Sequence, residues 1–255
     1  MVVIPPGGGE VIGDSPERRV EILCDGDALH ATWSRFGPGR EGADLHVHRR
    51  HTDIFYVLEG ELTVLLGPMG DAVVVPAGTL ARVPPLDVHG FRNGSDAEVR
   101  YLNLHAPGEG FADFLRALRD GRTLTYDQEP PPADGGRPTA EAVIGGDADA
   151  EAIGIAEELS EPGARPEPHV HRRHVESVYV LEGELALTVG DRTLRAAAGT
   201  WASVPAGVAH ALWSSGPARF LSIHAPNCGF GRLGRALRDG DEQEIAAARA
   251  AFDQA

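Results

Sequence analysis

Apolar and polar residues alternate over short spans through most of the chain, and clusters of Gly, Pro, Asn and Asp separate the spans. A period of two with turn residues between marks half-buried strands. The pattern predicts strands near 10–12, 20–24, 29–36, 54–58, 62–66, 72–75, 79–83, 89–93 and 99–105. Asp25-Gly26-Asp27 reads as a hairpin turn between two of them. From Phe111 the period changes, with Phe111, Phe114, Leu115 and Leu118 on one helical face before Gly121. A further helix is expected over 242–252, its apolar face mostly Ala. Many short strands at regular spacing predict a β-sandwich or barrel.

The second half repeats the first in order. His46-Val47-His48-Arg49-Arg50-His51 returns as His169-Val170-His171-Arg172-Arg173-His174, and His105-Ala106-Pro107 as His224-Ala225-Pro226. His89 pairs with His210, Val11-Ile12-Gly13 with Val143-Ile144-Gly145, and the helix from Phe111 with one from Phe230. Two copies of one fold follow. Between them, 126–138 is rich in Pro, Gly and acid and reads as an exposed linker. The expected division is a first domain over 1–125, a linker over 126–140, and a second domain over 141–255 that carries the extra helix.

The repeat also carries chemistry. Two histidines one residue apart share a face of an extended strand, so His46 and His48 present two imidazoles to one point, as do His169 and His171. The acid five residues on, Asp53 or Glu176, is an odd step away. A tight turn through 49–52 lets it point back in, with Phe55 and Val57, or Val178 and Val180, on the same inner face. His89 and His210 complete the sets. A single such histidine pair is more often the polar surface of a strand, but the full set at matched spacing in both halves favours a metal. Three imidazoles and one carboxylate suit Fe, Mn, Ni, Co, Cu or Zn, one ion per domain, and leave coordination positions open for substrate. His51 and His174 are expected in solvated turns, His105 and His224 in structural hydrogen bonds. Arg49-Arg50 and Arg172-Arg173 read as solvated basic pairs, and His30 has no counterpart.

Composition narrows the function. The formal charge is −15 and every basic residue is Arg, a balance that disfavours nucleic acid and anionic membranes as partners. Without lysine there is no Schiff-base chemistry. Gly7-Gly8-Gly9 does not follow a strand and open a helix as a phosphate loop would, and there is no G-x-S-x-G elbow. Cys24 and Cys228 stand alone and read as small buried residues. The first residues lack a basic segment and a long apolar core, so a cytoplasmic location is expected.

Gly42-x3-His46-x-His48-x4-Asp53-x6-Gly60 and Gly163-x5-His169-x-His171-x4-Glu176-x6-Gly183 resemble the first cupin motif. Gly78-x5-Pro84-x4-His89-x3-Asn93 and Gly199-x5-Pro205-x-Gly207-x2-His210 resemble the second. The chain is similar to two-domain cupins (bicupins), and its His-Ala-Pro, Gly-Phe and short helix resemble quercetin-dioxygenase-like members. Asp53 stands where the motif has Glu, and Ser214 where it has Asn. The resemblance implies an all-β fold with short helices: two tandem cupin β-barrels of the jelly-roll type, each with a metal inside.

The expected activity is that of a metal-dependent dioxygenase on a small aromatic or enol-type compound, with dioxygen as co-substrate and Asp53 or Glu176 as ligand and general base. The alternatives are metal-dependent isomerisation, epimerisation or decarboxylation of a sugar or organic acid, or a non-catalytic small-molecule-binding barrel. The second site keeps the longer acid and has Val178 in place of Phe55, so it is expected to have more room and to carry the chemistry. The sequence leaves a homo-oligomer open.

Overall fold

The computed structural model describes residues 1–133, 143–145, 148–163 and 165–253. Two compact units divide the chain, Glu10–Gly146 and Asp147–Ala255, and the latter also takes Met1–Gly9.

The chain opens with β1 (Val2–Ile4) and then forms the first unit: β2 (Glu10–Ser15), β3 (Arg18–Asp25), β4 (His30–Phe36), β5 (Thr52–Glu59), β6 (Glu61–Leu66), β7 (Asp71–Pro76), β8 (Leu80–Val83), β9 (His89–Arg92), β10 (Val99–Ala106), helix α1 (Phe111–Arg119) and β11 (Val143–Gly145). One sheet has the order β11-β8-β5-β10-β4-β3-β2 and a smaller one β7-β6-β9. All pairings are antiparallel. Strand β5, Thr-Asp-Ile-Phe-Tyr-Val-Leu-Glu, is rich in the β-branched and aromatic residues that fit a pleated surface. It lies between β8 and β10 and is buried on both faces from Thr52 to Val57. Phe55, Val57, Leu62, Val64, Val75, Val83 and Tyr101 form the barrel core, with α1 placing Ala112 and Leu115 against it.

The second unit repeats this with β12 (Ala148–Ala150), β13 (Ile153–Ser160), β14 (Val175–Glu182), β15 (Glu184–Val189), β16 (Arg192–Ala197), β17 (Trp201–Val204), β18 (His210–Trp213), β19 (Ala218–Ala225), α2 (Phe230–Asp239) and α3 (Glu242–Ala251). Its sheets run β1-β17-β14-β19-β13-β12 and β16-β15-β18. Asp241 caps α3, its carboxylate accepting from the backbone N–H groups of Gln243 and Glu244. The β14–β15 hairpin turns at Gly183, whose φ is +75° and where a Cβ would stand 2.3 Å from the Pro217 carbonyl oxygen. Only glycine fits there.

Three expectations are corrected. Residues 1–9 belong to the second unit, where Val2, Val3 and Ile4 pair with Ser203, Ala202 and Trp201 of β17. Val143–Gly145 pairs with β8 in the same way, so its structural counterpart is β1, and Val11-Ile12-Gly13 lies instead in β2. An edge strand has backbone groups that need a partner, and a three-residue match cannot tell which segment supplies it. The stretch at 126–138 is not an exposed linker throughout: Glu129 exchanges backbone hydrogen bonds with Val47 at 2.9 and 3.0 Å. The rest of that stretch, from 134, lies outside the described residues. Among the described residues no helix is long and apolar enough to cross a membrane.

Candidate metal centres

His46 and His48 lie in an extended segment just before β5. An isolated bridge pairs His46 with His89, the first residue of β9, and His169 pairs with His210 likewise. The expected strand is thus reduced to single bridges, but extended backbone still sends alternate side chains the same way. His46, His48, Asp53 and His89 converge, as do His169, His171, Glu176 and His210, each set with its donor atoms within 4.8 Å of one another. All are buried except the half-buried His169.

The tautomers are set from behind. His46 Nδ1 donates to the Asp44 carbonyl at 2.7 Å, His89 Nδ1 to that of Asp87 at 3.0 Å, and His48 Nδ1 to that of Asp127. In the second unit His171 Nδ1 donates to the Asp253 carbonyl and His210 Nδ1 to that of Val208, both at 2.8 Å. A carbonyl only accepts, so each of these rings keeps a proton on Nδ1, and Nε2 is the nitrogen that faces inward. His46 Nε2 and His48 Nε2 face each other at 3.1 Å, and His210 Nε2 lies 2.6 Å from Glu176 Oε2. Lone pairs at these separations repel unless a cation or an extra proton sits between them. This donor set, held from behind by backbone carbonyls and aimed at one point, fits a first-row divalent ion.

The carboxylates differ. Glu176 Oε2 approaches His210, His171 and His169 at 2.6, 2.9 and 3.6 Å. The shorter Asp53 is divided: Oδ2 lies 3.3 Å from His89 and 3.8 Å from His48, while Oδ1 accepts from Asn103 and faces His105 at 3.3 Å. Burial opposes ionisation of both acids, but the surrounding imidazoles outweigh it and hold each carboxyl well below its usual range. Burial, then the neighbouring His89 and His48, lowers His46 to about 3.

His51 and His174 are fully buried rather than solvated. His51 stacks on His105 with centroids 4.6 Å apart, and His174 Nε2 meets His224 Nδ1 at 2.9 Å. His105 and His224 line the cavities beside the clusters. His30, buried under Phe111, has no polar partner for either ring nitrogen among the described residues. Arg49 and Arg50 are exposed and paired with Glu129 and Glu109. Asn93 donates to the carbonyls of Phe36, Gly37 and Ala97, and in their place the Ser214 hydroxyl bonds to that of Ser160 at 2.8 Å and to the Glu161 carbonyl at 3.4 Å.

One element escaped the sequence reading. Tyr126-Asp127 docks over the first cluster: Asp127 Oδ1 and Oδ2 accept from the backbone N–H groups of Arg49 and Arg50, both at 2.9 Å, and the Tyr126 hydroxyl lies 3.0 Å from His105 Nδ1. Phe252-Asp253 does the same in the second unit, with an Asp253 carboxylate oxygen accepting from the Arg173 N–H and Phe252 packed against His171, His174 and His224. The signal was present as Tyr126-Asp127-Gln128 and Phe252-Asp253-Gln254, one more repeat, hidden in a presumed linker and at the end of a helix.

Each cluster opens on a cavity. The first, of about 280 Å³, is walled by Phe36, Phe91, Phe111 and Phe114 with His46, His48 and Asp53 among its lining. The second, of about 510 Å³, has Ser160 and Leu212 where the first has Phe36 and Phe91. The extra room expected at the second site is there, but it comes from these two positions; neither Phe55 nor Val178 lines its cavity.

The Cupin domain family profile matches residues 32–105 and 157–224, once in each unit. The chain belongs to the cupin family. As a bicupin it is 30% identical over 120 residues to quercetin 2,3-dioxygenase of Bacillus subtilis, a match that covers 46% of this chain and 34% of that enzyme. The chain thus spans about a third of this relative's length. Among solved structures it is similar to oxalate decarboxylase from Bacillus subtilis, with a TM-score of 0.59 at 17% identity over 96% of this chain and 85% of that one. AerE from Microcystis aeruginosa gives 0.59 at 15% identity over 87% and 97%. These two likenesses show the tandem-barrel fold.

Proposed function

We propose that this bicupin is a metal-dependent dioxygenase of a small aromatic or enol-type compound. One observation carries the reading: the first cavity is lined by His46, His48 and Asp53 together with the rings of Phe36, Phe91, Phe111 and Phe114. Its volume suits a compound of one ring. The expected preference for the second site therefore gives way to the first. The local likeness to quercetin 2,3-dioxygenase supports the same class.

His46, His48, His89 and Asp53 would hold the ion in the first unit, and His169, His171, His210 and Glu176 in the second. A bound ion would supply Lewis-acid and redox chemistry toward an enolic or phenolic oxygen and dioxygen. Insertion of both oxygen atoms as a C–C bond is cleaved would need no external reductant. The phenylalanines orient the ring by stacking and exclude water. Asp53, whose Oδ1 accepts from Asn103 and lies 3.3 Å from His105 Nε2, would take the substrate's hydroxyl proton, and Glu176 would serve likewise in the second unit.

The test is oxygen uptake by the metal-loaded protein with a panel of flavonols, catechols, β-diketones and hydroxylated aromatic acids. Substrate-dependent uptake that His48→Ala abolishes is the expected result. Absence of uptake with every member of the panel would refute the proposal, and turnover under strict anaerobiosis would replace it with a decarboxylase or isomerase.

A further inference from the structure

Outside its metal cluster the first cavity is lined by two arginines and one acid, Glu41, which lies 3.8 Å from Arg92. Arg18, at the start of β3, and Arg40, in the loop after β4, both line it. The Arg18 guanidinium lies over the Phe36 ring at 5.7 Å from the centroid, so one wall offers a flat aromatic face with a cation beside it. The Nε atoms of Arg18 and Arg40, like those of Arg35 and Arg92, are buried and have no hydrogen-bond partner among the described residues. Arg40 has only a distant carboxylate, Glu17 at 3.9 Å, and no ion pair engages Arg18 among the described residues. In this chain other arginines find close acids: Arg19 with Asp14 and Glu21, Arg100 with Glu59 and Glu98, and Arg116 with Glu10, Asp25 and Asp113.

With a net charge of −15 and acids in excess, an arginine pair left without close partners beside an apolar cavity is an anion subsite awaiting its ligand. The second cavity has no such pair; beside Glu176 of its cluster its charged lining is Glu157, Glu158 and Arg238. The two clusters thus share a donor set but open on cavities of different charge.

From this we infer that the first cavity binds a small aromatic carboxylate, with its ring among Phe36, Phe91 and Phe114 and its carboxylate on Arg18 and Arg40. The inference rests on the proposed function for the substrate's place beside the metal cluster, and it narrows that substrate to an acid. A neutral flavonol or diketone would leave both guanidinium groups unanswered. Bidentate capture would fix the ring's rotation about the cavity axis and so choose which edge faces His46 and His48.

The test is calorimetric titration of the full-length, metal-loaded protein with benzoate and with benzamide, a neutral analogue of nearly the same shape. Benzoate is expected to bind at one site per chain and benzamide about tenfold or more weaker, the loss of a charge-assisted contact. Arg18→Gln should weaken benzoate about tenfold and leave benzamide unchanged, while Arg238→Gln should alter neither. Metal content and circular dichroism, measured on each arginine variant, should match the parent. Equal affinity for the two probes, no binding of benzoate, or benzoate affinity lost in His48→Ala but kept in Arg18→Gln would overturn the inference; the last would mean that the metal alone holds the carboxylate. A protein that selects benzoate through Arg18 yet consumes no oxygen with any aromatic acid would keep this subsite and refute the dioxygenase reading.

Discussion

Phe252→Ala should disarm one metal centre without touching the other. Phe252 is only 8% exposed and packs against His171, His174, His224 and Phe230 with centroids 5.4 to 6.2 Å apart. Truncating a buried phenylalanine costs about 3 kcal/mol. Here the loss falls mainly on docking of the segment after α3, and that energy is roughly two orders of magnitude in docked population. Undocking withdraws the Asp253 carbonyl from His171 Nδ1 and its carboxylate from the Arg173 N–H. A metal-ligating histidine that loses such a partner loses about 10- to 100-fold in metal affinity. Zinc competition against a chromophoric chelator, fitted to two sites, should show that loss at one site only. Tyr126→Ala should produce the reciprocal loss, because Tyr126-Asp127 holds His48 in the same manner. If both sites weaken together in either variant, or neither does, the assignment of these segments as supports for the histidines is wrong.

The metal-free protein should lose stability on mild acidification. Burial is the first cause in holding His46 and His224 at about 3 and His174 at about 4, whereas an unfolded histidine titrates near ~6.5. The unfolded chain therefore binds more protons below that pH, and at roughly pH 5 each of the three costs on the order of 2 kcal/mol. In His210 the bond to Glu176 outweighs burial and works the opposite way. The lowered Asp53 and Glu176 add their loss only below about pH 4. Urea midpoints at pH 7, 6 and 5 should fall steadily, and a constant midpoint would contradict the burial of these rings as neutral groups. Gly183→Ala should destabilise by about 2 kcal/mol or more, from left-handed strain and the clash with Pro217. Gly190→Ala, with φ +57° and open space around its Cβ, should cost only about 1 kcal/mol, and equal denaturation midpoints would count against the hairpin geometry. Glu176→Gln should weaken its site about tenfold more than Asp53→Asn weakens the other, because Asp53 already divides its oxygens between the imidazoles and Asn103; equal losses by zinc competition would show that the methylene does not matter.

Much of the barrel and both donor sets were legible because strands, turns and ligand spacing are local patterns: the alternation at 52–59, the histidine pairs, the acid five residues on. Less legible was whatever depends on which edge a segment joins. Val2–Ile4 and Val143–Gly145 are short and apolar, and only the open edges of β17 and β8 assign them. Proline and acid at 126–138 signalled a linker, yet the docking of Tyr126 and Asp127 depends on the buried His48, His51 and His105. His51 and His174 stand among polar neighbours in sequence, and burial by those same segments, not local composition, determines their state. The cavity walls combine β4, β9 and α1, so the exchange of Phe36 and Phe91 for Ser160 and Leu212 acquires meaning only in the folded barrel.

The central claim is that two matched donor sets each hold one divalent ion, and metal analysis of the purified protein tests it most directly. Plasma mass spectrometry of the parent chain, His48→Ala and His171→Ala, with folding verified by circular dichroism, should give two equivalents for the parent and one for each variant. If both variants keep the parent's metal content, or all three proteins lack first-row metal after growth and reconstitution with each candidate ion, the two-centre account is contradicted.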